Sequence, residues 1–229
     1  MKIKDIVARC DHTLLNPCAT LDDIYRVCDD GVRFGAASVC IPACYVRDAW
    51  EYMEDNYPDT KIPVCTVIGF PNGYDTGEAK CFMAKNAIVN GASEIDMVVN
   101  LGWVKDRKWD KIVREIKAVK EACEGRILKV IIETCQLTEV EKYSLCRAVT
   151  DAGADFIKTS TGFSSGGATL ADVILLRKCV GENVKVKASG GINDLVAAKQ
   201  MIENGADRLG TSKVIKIIKE SKWEMEADI

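Results

Sequence analysis

The stretch Asp151-Ala152-Gly153-Ala154-Asp155-Phe156-Ile157-Lys158-Thr159-Ser160-Thr161-Gly162 leaves a helical pattern through a glycine turn. It then enters a short apolar strand and ends in a loop of small residues. Asn204-Gly205-Ala206-Asp207 repeats the same helix-to-strand turn. Working outward, one unit recurs along the chain: an apolar strand-like run, a charged amphipathic stretch, a glycine-containing turn. Strand-like runs fall near 9–14, 36–41, 62–68, 94–99, 128–133, 154–160, 184–189 and 207–210. Helical patterns separate and follow them at 21–30, 47–56, 76–90, 108–123, 137–152, 168–180, 194–204 and 213–223. Gly31, Gly91, Gly125, Gly153 and Gly205 stand where C-terminal helix glycines belong. Eight such units in 229 residues predict an α/β fold, a single-domain (β/α)8 TIM barrel spanning 1–229. Periodicity does not show closure, so a doubly wound open sheet is the alternative. Residues 222–229 read as a loose C-terminal tail.

Composition narrows the function classes. With 48% hydrophobic and 28% charged residues, the chain has material for a sizeable core. A net charge of -3 offers no electrostatic case for nucleic acid or an anionic membrane as a partner. The polar start, Met1-Lys2-Ile3-Lys4-Asp5, and the lack of a long apolar run point to a cytoplasmic protein without a membrane span. Eleven cysteines, an odd number with no CxxC pair, read as reduced thiols. The single histidine, His12, is too few for a histidine-based zinc site, and no metal is expected.

Strand parity then points inward. Alternate residues of a strand share a face, so Glu94 and Asp96 oppose Ile95 and Met97, and Lys129 and Glu133 oppose Val130 and Ile132. Lys158 opposes Ile157, and Lys185 and Lys187 oppose Val184 and Val186. If the apolar faces pack on helices, Asp96, Lys129, Glu133, Lys158, Lys185 and Lys187 line an interior that Val, Ile and Leu normally fill. Burying a charged lysine is costly unless it is paired or its pKa falls, and a lysine with a lowered pKa is the amine that forms Schiff bases. A purely structural ion network is the competing reading.

Three loops of small residues follow the last strands. Thr161-Gly162-Phe163 with Ser164-Ser165-Gly166-Gly167, then Gly190-Gly191 ahead of a helix, and Gly210-Thr211-Ser212 ahead of another, are suited to an anion. In a barrel, the loops after strands 7 and 8 are the usual phosphate position, so a phosphorylated small molecule is the expected ligand.

Asp11-His12-Thr13-Leu14-Leu15, Glu94-Ile95-Asp96-Met97-Val98-Val99-Asn100, Leu128-Lys129-Val130-Ile131-Ile132-Glu133-Thr134, Asp155 through Gly162, Val186-Lys187-Ala188-Ser189-Gly190-Gly191-Ile192 and Leu209-Gly210-Thr211-Ser212 stand in one order. Together, from about residue 9 to 215, they resemble the deoxyribose-phosphate aldolase family. The resemblance implies a class I lyase that needs neither metal nor cofactor. It implies reversible cleavage of 2-deoxy-D-ribose 5-phosphate to D-glyceraldehyde 3-phosphate and acetaldehyde. Carried over by residue, it makes Lys158 the Schiff-base lysine and Lys187 the second lysine, whose ammonium keeps Lys158 partly unprotonated. Asp96 becomes the carboxylate that shuttles protons with Lys187 through a water. Asp11 and Cys40 fall near the substrate, Thr161 and Gly162 at the mouth, and Gly190, Gly191, Gly210, Thr211 and Ser212 at the phosphate. A homodimer or higher homo-oligomer is the expected assembly.

Two positions depart from the family pattern. Asn193 stands where arginine often follows Gly-Gly-Ile, and Phe163 where a basic residue can occur, so the phosphate grip is expected to be weaker. The alternatives in function are a sugar-phosphate isomerase, a pyridoxal phosphate enzyme and a non-catalytic phosphate-binding barrel. Isomerases need no inward lysine pair, a pyridoxal phosphate enzyme would absorb in the visible, and a mere binder would tolerate loss of Lys158.

Overall fold

The computed structural model describes residues 1–60 and 62–229. The eight strands are β1 (Cys10–Thr13), β2 (Ser38–Ile41), β3 (Val64–Ile68), β4 (Glu94–Val98), β5 (Ile127–Ile131), β6 (Phe156–Lys158), β7 (Lys185–Ser189) and β8 (Arg208–Thr211). Each pairs in parallel with the next, and β8 pairs with β1, so the sheet closes into a barrel and the open-sheet alternative falls. The helices are α1 (Ile3–Val7), α2 (Leu21–Phe34), α3 (Val46–Asn56), α4 (Gly77–Val89) and α5 (Leu101–Lys105), then α6 (Trp109–Ala122), α7 (Glu139–Ala152), α8 (Leu170–Cys179), α9 (Leu195–Glu203) and α10 (Val214–Ser221).

Local chemistry sets the helix ends. Thr20 with Asp23, and Thr138 with Glu141, make reciprocal capping bonds that satisfy backbone groups at the starts of α2 and α7. Gly153 closes α7 in the left-handed conformation, as expected. Gly31 does not end a helix. It lies within α2, which ends at left-handed Gly35, and it is a glycine because a side chain at 31 would collide with Ile62 and Val39.

The apolar core is a sleeve between strands and helices, formed by residues such as Val39, Ile95, Leu128, Val130, Ile157 and Leu176. Each such side chain contributes roughly 1.5–3 kcal/mol on burial. The other strand face turns to the barrel axis and, by register, builds stacked layers from alternate strands. Ser38, Glu94, Phe156 and Arg208 come first, then Asp11, Cys65, Lys129 and Lys187, then Cys40, Asp96, Lys158 and Gly210. Lys185 departs from expectation. It opens β7 at the barrel's N-terminal end and is exposed, its ammonium 5.7 Å from the Phe156 ring centroid.

Residues 222–229 are not loose. The Ile3 and Lys4 amides donate to the Ala227 and Met225 carbonyls at 3.0 and 2.9 Å, and Glu226 binds Lys2 and Lys4 at 2.8 and 2.6 Å. Met225, Ala227 and Ile229 pack on the core, with a turn at 224–227 closed by the Ala227 amide donating to the Glu224 carbonyl at 3.0 Å.

His12 sits on the outer face of β1 with its Nε2 4.0 Å from Asp30, itself bound to Lys219 of α10. Burial drives its imidazole down from 6.5 to about 4, against the pull of Asp30. Between those values the unfolded chain binds a proton that the native state does not, so stability falls as pH falls. The contribution is complete above pH 6.5 and about 3 kcal/mol is lost by pH 4. His12→Gln is expected to remove that part of the slope. Urea midpoints measured across the window on both proteins check it, and identical slopes would refute it.

Candidate active site

The centre of the barrel holds a continuous ionic network. Lys158 Nζ donates to Asp96 Oδ2 at 2.8 Å and Lys187 Nζ donates to the same oxygen at 2.7 Å. The expected water-mediated link between Asp96 and Lys187 is therefore a direct hydrogen bond, because β4 and β7 point the two side chains at one another across the barrel interior. Asp96 Oδ1 accepts from Lys129 at 2.8 Å. Beneath, Lys187 also binds Asp11 Oδ2, and Asp11 Oδ1 accepts from Ser38 at 2.7 Å and Arg208 at 2.5 Å. Lys129 reaches Glu94 at 2.6 Å, and Arg208 lies 3.4 Å from Glu94. Asp11, Asp96, Lys129 and Lys187 have no exposed surface, and Lys158 has 3%.

Burial raises a carboxyl pKa, but the ammonium groups of Lys129, Lys158 and Lys187 outweigh it and hold Asp96 well below the usual range. Asp11 is lowered likewise, against its burial, by Lys187, Lys129 and Arg208. Burial pushes Lys187 down, yet Asp11 and Asp96 overcome it and keep the ammonium charged. Gly210 is required here: a Cβ would come within 3.1 Å of Lys187 Cε and 2.8 Å of Ser189.

Above the network opens a cavity of about 660 Å³ with Lys158 in its wall. Thr161, Gly162, Gly190, Gly191, Gly210, Thr211 and Ser212 all line it. Asp96, Lys187, Asp11 and Cys40 do not. Asp96 touches Lys158 directly and Lys187 reaches it through Asp96, whereas Asp11 binds Lys187 in turn and Cys40 is buried in the barrel beside Cys65. Asn193 and Phe163 also line the cavity, and Phe163 is braced edge-on by Phe70 at 5.3 Å.

Sequence reasoning missed several contributors. The loop Thr13 to Pro17 forms one wall, and Lys213 places a cationic residue among the phosphate-type loops. Lys213 directly follows Ser212, which was the available signal. Glu133 was read as inward but without a task. Its backbone is left-handed (φ 54°, ψ 65°), and its carboxylate accepts from the Thr161 hydroxyl at 2.5 Å and the Thr161 amide at 3.3 Å. Such backbone strain in a non-glycine residue is kept where the surroundings over-determine it, here where β5 fixes the loop after β6.

A closed parallel barrel with three buried lysines on one carboxylate, one of them in the wall of a cavity at its C-terminal mouth, defines a barrel enzyme with lysine-centred chemistry. A family model described as DeoC/LacD family aldolase matches residues 6–215, and the chain belongs to that family. It is accordingly an aldolase, a lyase acting on a carbon–carbon bond. A protein named deoxyribose-phosphate aldolase from Streptococcus agalactiae is 54% identical over 224 residues, covering 98% of each chain. Another of that name, from Clostridium botulinum, is 50% identical over 219 residues, 96% of this chain and 97% of its own. The solved structure of a tetrameric deoxyribose phosphate aldolase from Aeropyrum pernix superposes with a TM-score of 0.87 at 29% identity, covering 96% of this chain and 92% of the other.

Proposed function

We propose that this aldolase reversibly cleaves 2-deoxy-D-ribose 5-phosphate to D-glyceraldehyde 3-phosphate and acetaldehyde through an iminium on Lys158. The observation that carries the reading is the single Asp96 oxygen shared by Lys158 and Lys187 directly beneath a cavity rimmed by glycine loops. The Lys158 amine attacks the substrate aldehyde carbon, and loss of water gives the iminium. A base takes the proton of the β-hydroxyl, the adjacent C–C bond breaks, and its electron pair moves into the iminium as an enamine. A proton returned to the enamine carbon and addition of water then release acetaldehyde and regenerate the amine. Asp96 and Lys187, held as carboxylate and ammonium, supply the acceptor and donor for these transfers.

The test is borohydride trapping. The protein is incubated with acetaldehyde, reduced, digested and mapped by mass spectrometry. A two-carbon adduct on Lys158 supports the reading, while a folded protein that yields no adduct there would overturn it.

The phosphate end rests on Gly190, Gly191 and the Gly210–Lys213 loop, with Lys213 supplying the cation that Asn193 and Phe163 lack. A charge-assisted contact contributes about 1.5–3 kcal/mol. Lys213→Met should therefore raise KM for the phosphorylated sugar by about 10- to 100-fold and leave free deoxyribose nearly unchanged. Asn193→Arg should lower the first KM. Equal effects on both sugars would show that Lys213 does not hold phosphate.

Homo-oligomerisation is a further part of the proposal. Tyr74, Phe82 and Val89, in and before α4, are 72%, 71% and 74% exposed, an outward apolar patch suited to a second copy. A cytoplasmic location agrees with eleven free thiols and with no described helix being long and apolar enough to cross a membrane.

A further inference from the structure

The layer nearest the barrel's N-terminal end contains an ion pair that touches neither the cavity nor Lys158. Arg208 opens β8 and Glu94 opens β4. Arg208 contacts Asp11 at 2.5 Å and Glu94 at 3.4 Å, and Glu94 contacts Lys129 at 2.6 Å. Asp11 binds Lys187, and Lys129 binds Asp96. Both routes from the pair therefore end at the groups that hold Lys158.

We propose that Arg208 and Glu94 are positioning residues that set the charge balance beneath Lys158 and so control how readily it attacks as a free amine. The inference rests on the Schiff-base reading above.

Most of these charges are buried, so little water screens them from one another. Lys129, Lys187 and Arg208 are three cations; Asp11, Glu94 and Asp96 are three anions. They match one another without Lys158. Lys158 is the further cation that meets them, through Asp96. Buried charge is costly unless compensated, so removing any one of the six changes the cost of a charge on Lys158.

The groups facing this site come from every strand: Asp11 from β1, Cys40 from β2, Cys65 from β3, Glu94 and Asp96 from β4 and Lys129 from β5. Lys187 from β7 and Arg208 from β8 complete the ring around Lys158, with Glu133 just beyond β5. Burial pushes the Cys65 thiol up, and a hydrogen bond with Cys65 draws Cys40 down against its burial. The prediction is a difference between variants, so it holds for either state of the Cys40 thiol.

Removing the positive charge of Arg208 leaves a surplus anion, which favours protonated Lys158. Removing the negative charge of Glu94 leaves a surplus cation and does the opposite. The readout is the rate of reductive trapping with acetaldehyde and cyanoborohydride as a function of pH. Acetaldehyde has no titrating group, so substrate phosphate does not enter the profile. Arg208→Met should move the acid limb up by about one pH unit, a roughly tenfold lower rate at a fixed pH on that limb. Glu94→Gln should move it down by a similar amount. The Arg208→Met/Glu94→Gln double variant should return it to the wild-type position, and Arg208→Lys should leave it nearly in place.

A purely structural pair would lower rates without opposite displacements of the limb and without restoration in the double variant. Glu94→Gln is nearly isosteric and keeps the test open if Arg208→Met fails to fold. An unmoved limb in folded Glu94→Gln is enough to overturn the inference. Absence of any adduct on wild-type Lys158 would overturn the proposed function instead, so the two failures are distinguishable.

Discussion

Asp96→Asn is expected to lose activity and stability together. The carboxylate accepts from three buried ammonium groups, Lys129 on one oxygen and Lys158 and Lys187 on the other. An amide of the same shape accepts at one end only, and its NH2 meets at least one ammonium head-on. Removing the anion of a buried ionic cluster costs about 3–5 kcal/mol, because the cations left behind have no water to replace it. The proton acceptor and the link to Lys187 vanish in the same substitution, so kcat should fall about a thousandfold. Urea unfolding and steady-state cleavage of deoxyribose 5-phosphate read the two losses separately. A variant that keeps the wild-type midpoint would mean that the lysines find other partners. One that keeps kcat would remove Asp96 from the proton route.

Much of this centre was legible because a strand's two faces obey a strict alternation. Asp96, Lys129, Lys158 and Lys187 each break an apolar run on the inward parity, and parity alone brings them to one axis. What parity cannot give is depth. It placed Lys185 inward with Lys187, although β7 begins at Lys185 and the side chain reaches solvent. The same blindness affects Asp11 and Cys40, which family resemblance set near the substrate and which are buried without lining the cavity that Lys158 lines. Arg208 was not singled out because its partners are remote in sequence: Asp11 and Glu94 are 197 and 114 residues away.

Helices concealed more. Lys80 occupies the same face of α4 as buried Ala84 and Ala87, and has no exposed surface. It donates to the Gly73 and Val98 carbonyls at 2.8 and 2.9 Å and to Glu115 of α6 at 3.0 Å. Helical periodicity flags a lysine there as an error in the pattern. Only the fold shows that it ties the loop after β3 to the end of β4. The docked end of the chain hid for a related reason, since Met225, Ala227 and Ile229 alternate with charged residues in a segment too short to read as a strand.

Lys158→Met should separate what Asp96→Asn joins. Without the amine no iminium forms, and cleavage of deoxyribose 5-phosphate should drop about ten-thousandfold or more, with trapping lost altogether. Stability should move the other way. Lys158 is one of four cations in contact with three carboxylates, and methionine fills a similar volume without a charge to desolvate. Replacing such a group is often neutral or stabilising, so the urea midpoint should hold or correspond to a gain of about 1 kcal/mol. That outcome would identify Lys158 as a residue kept for chemistry at the expense of the fold. A clear loss of stability would mean instead that the Lys158 ammonium is part of the neutral network, and the charge balance assigned to Arg208 and Glu94 would fall with it. Comparing this variant with Asp96→Asn in one set of unfolding curves therefore tests both the role of the nucleophile and the electrostatic design beneath it.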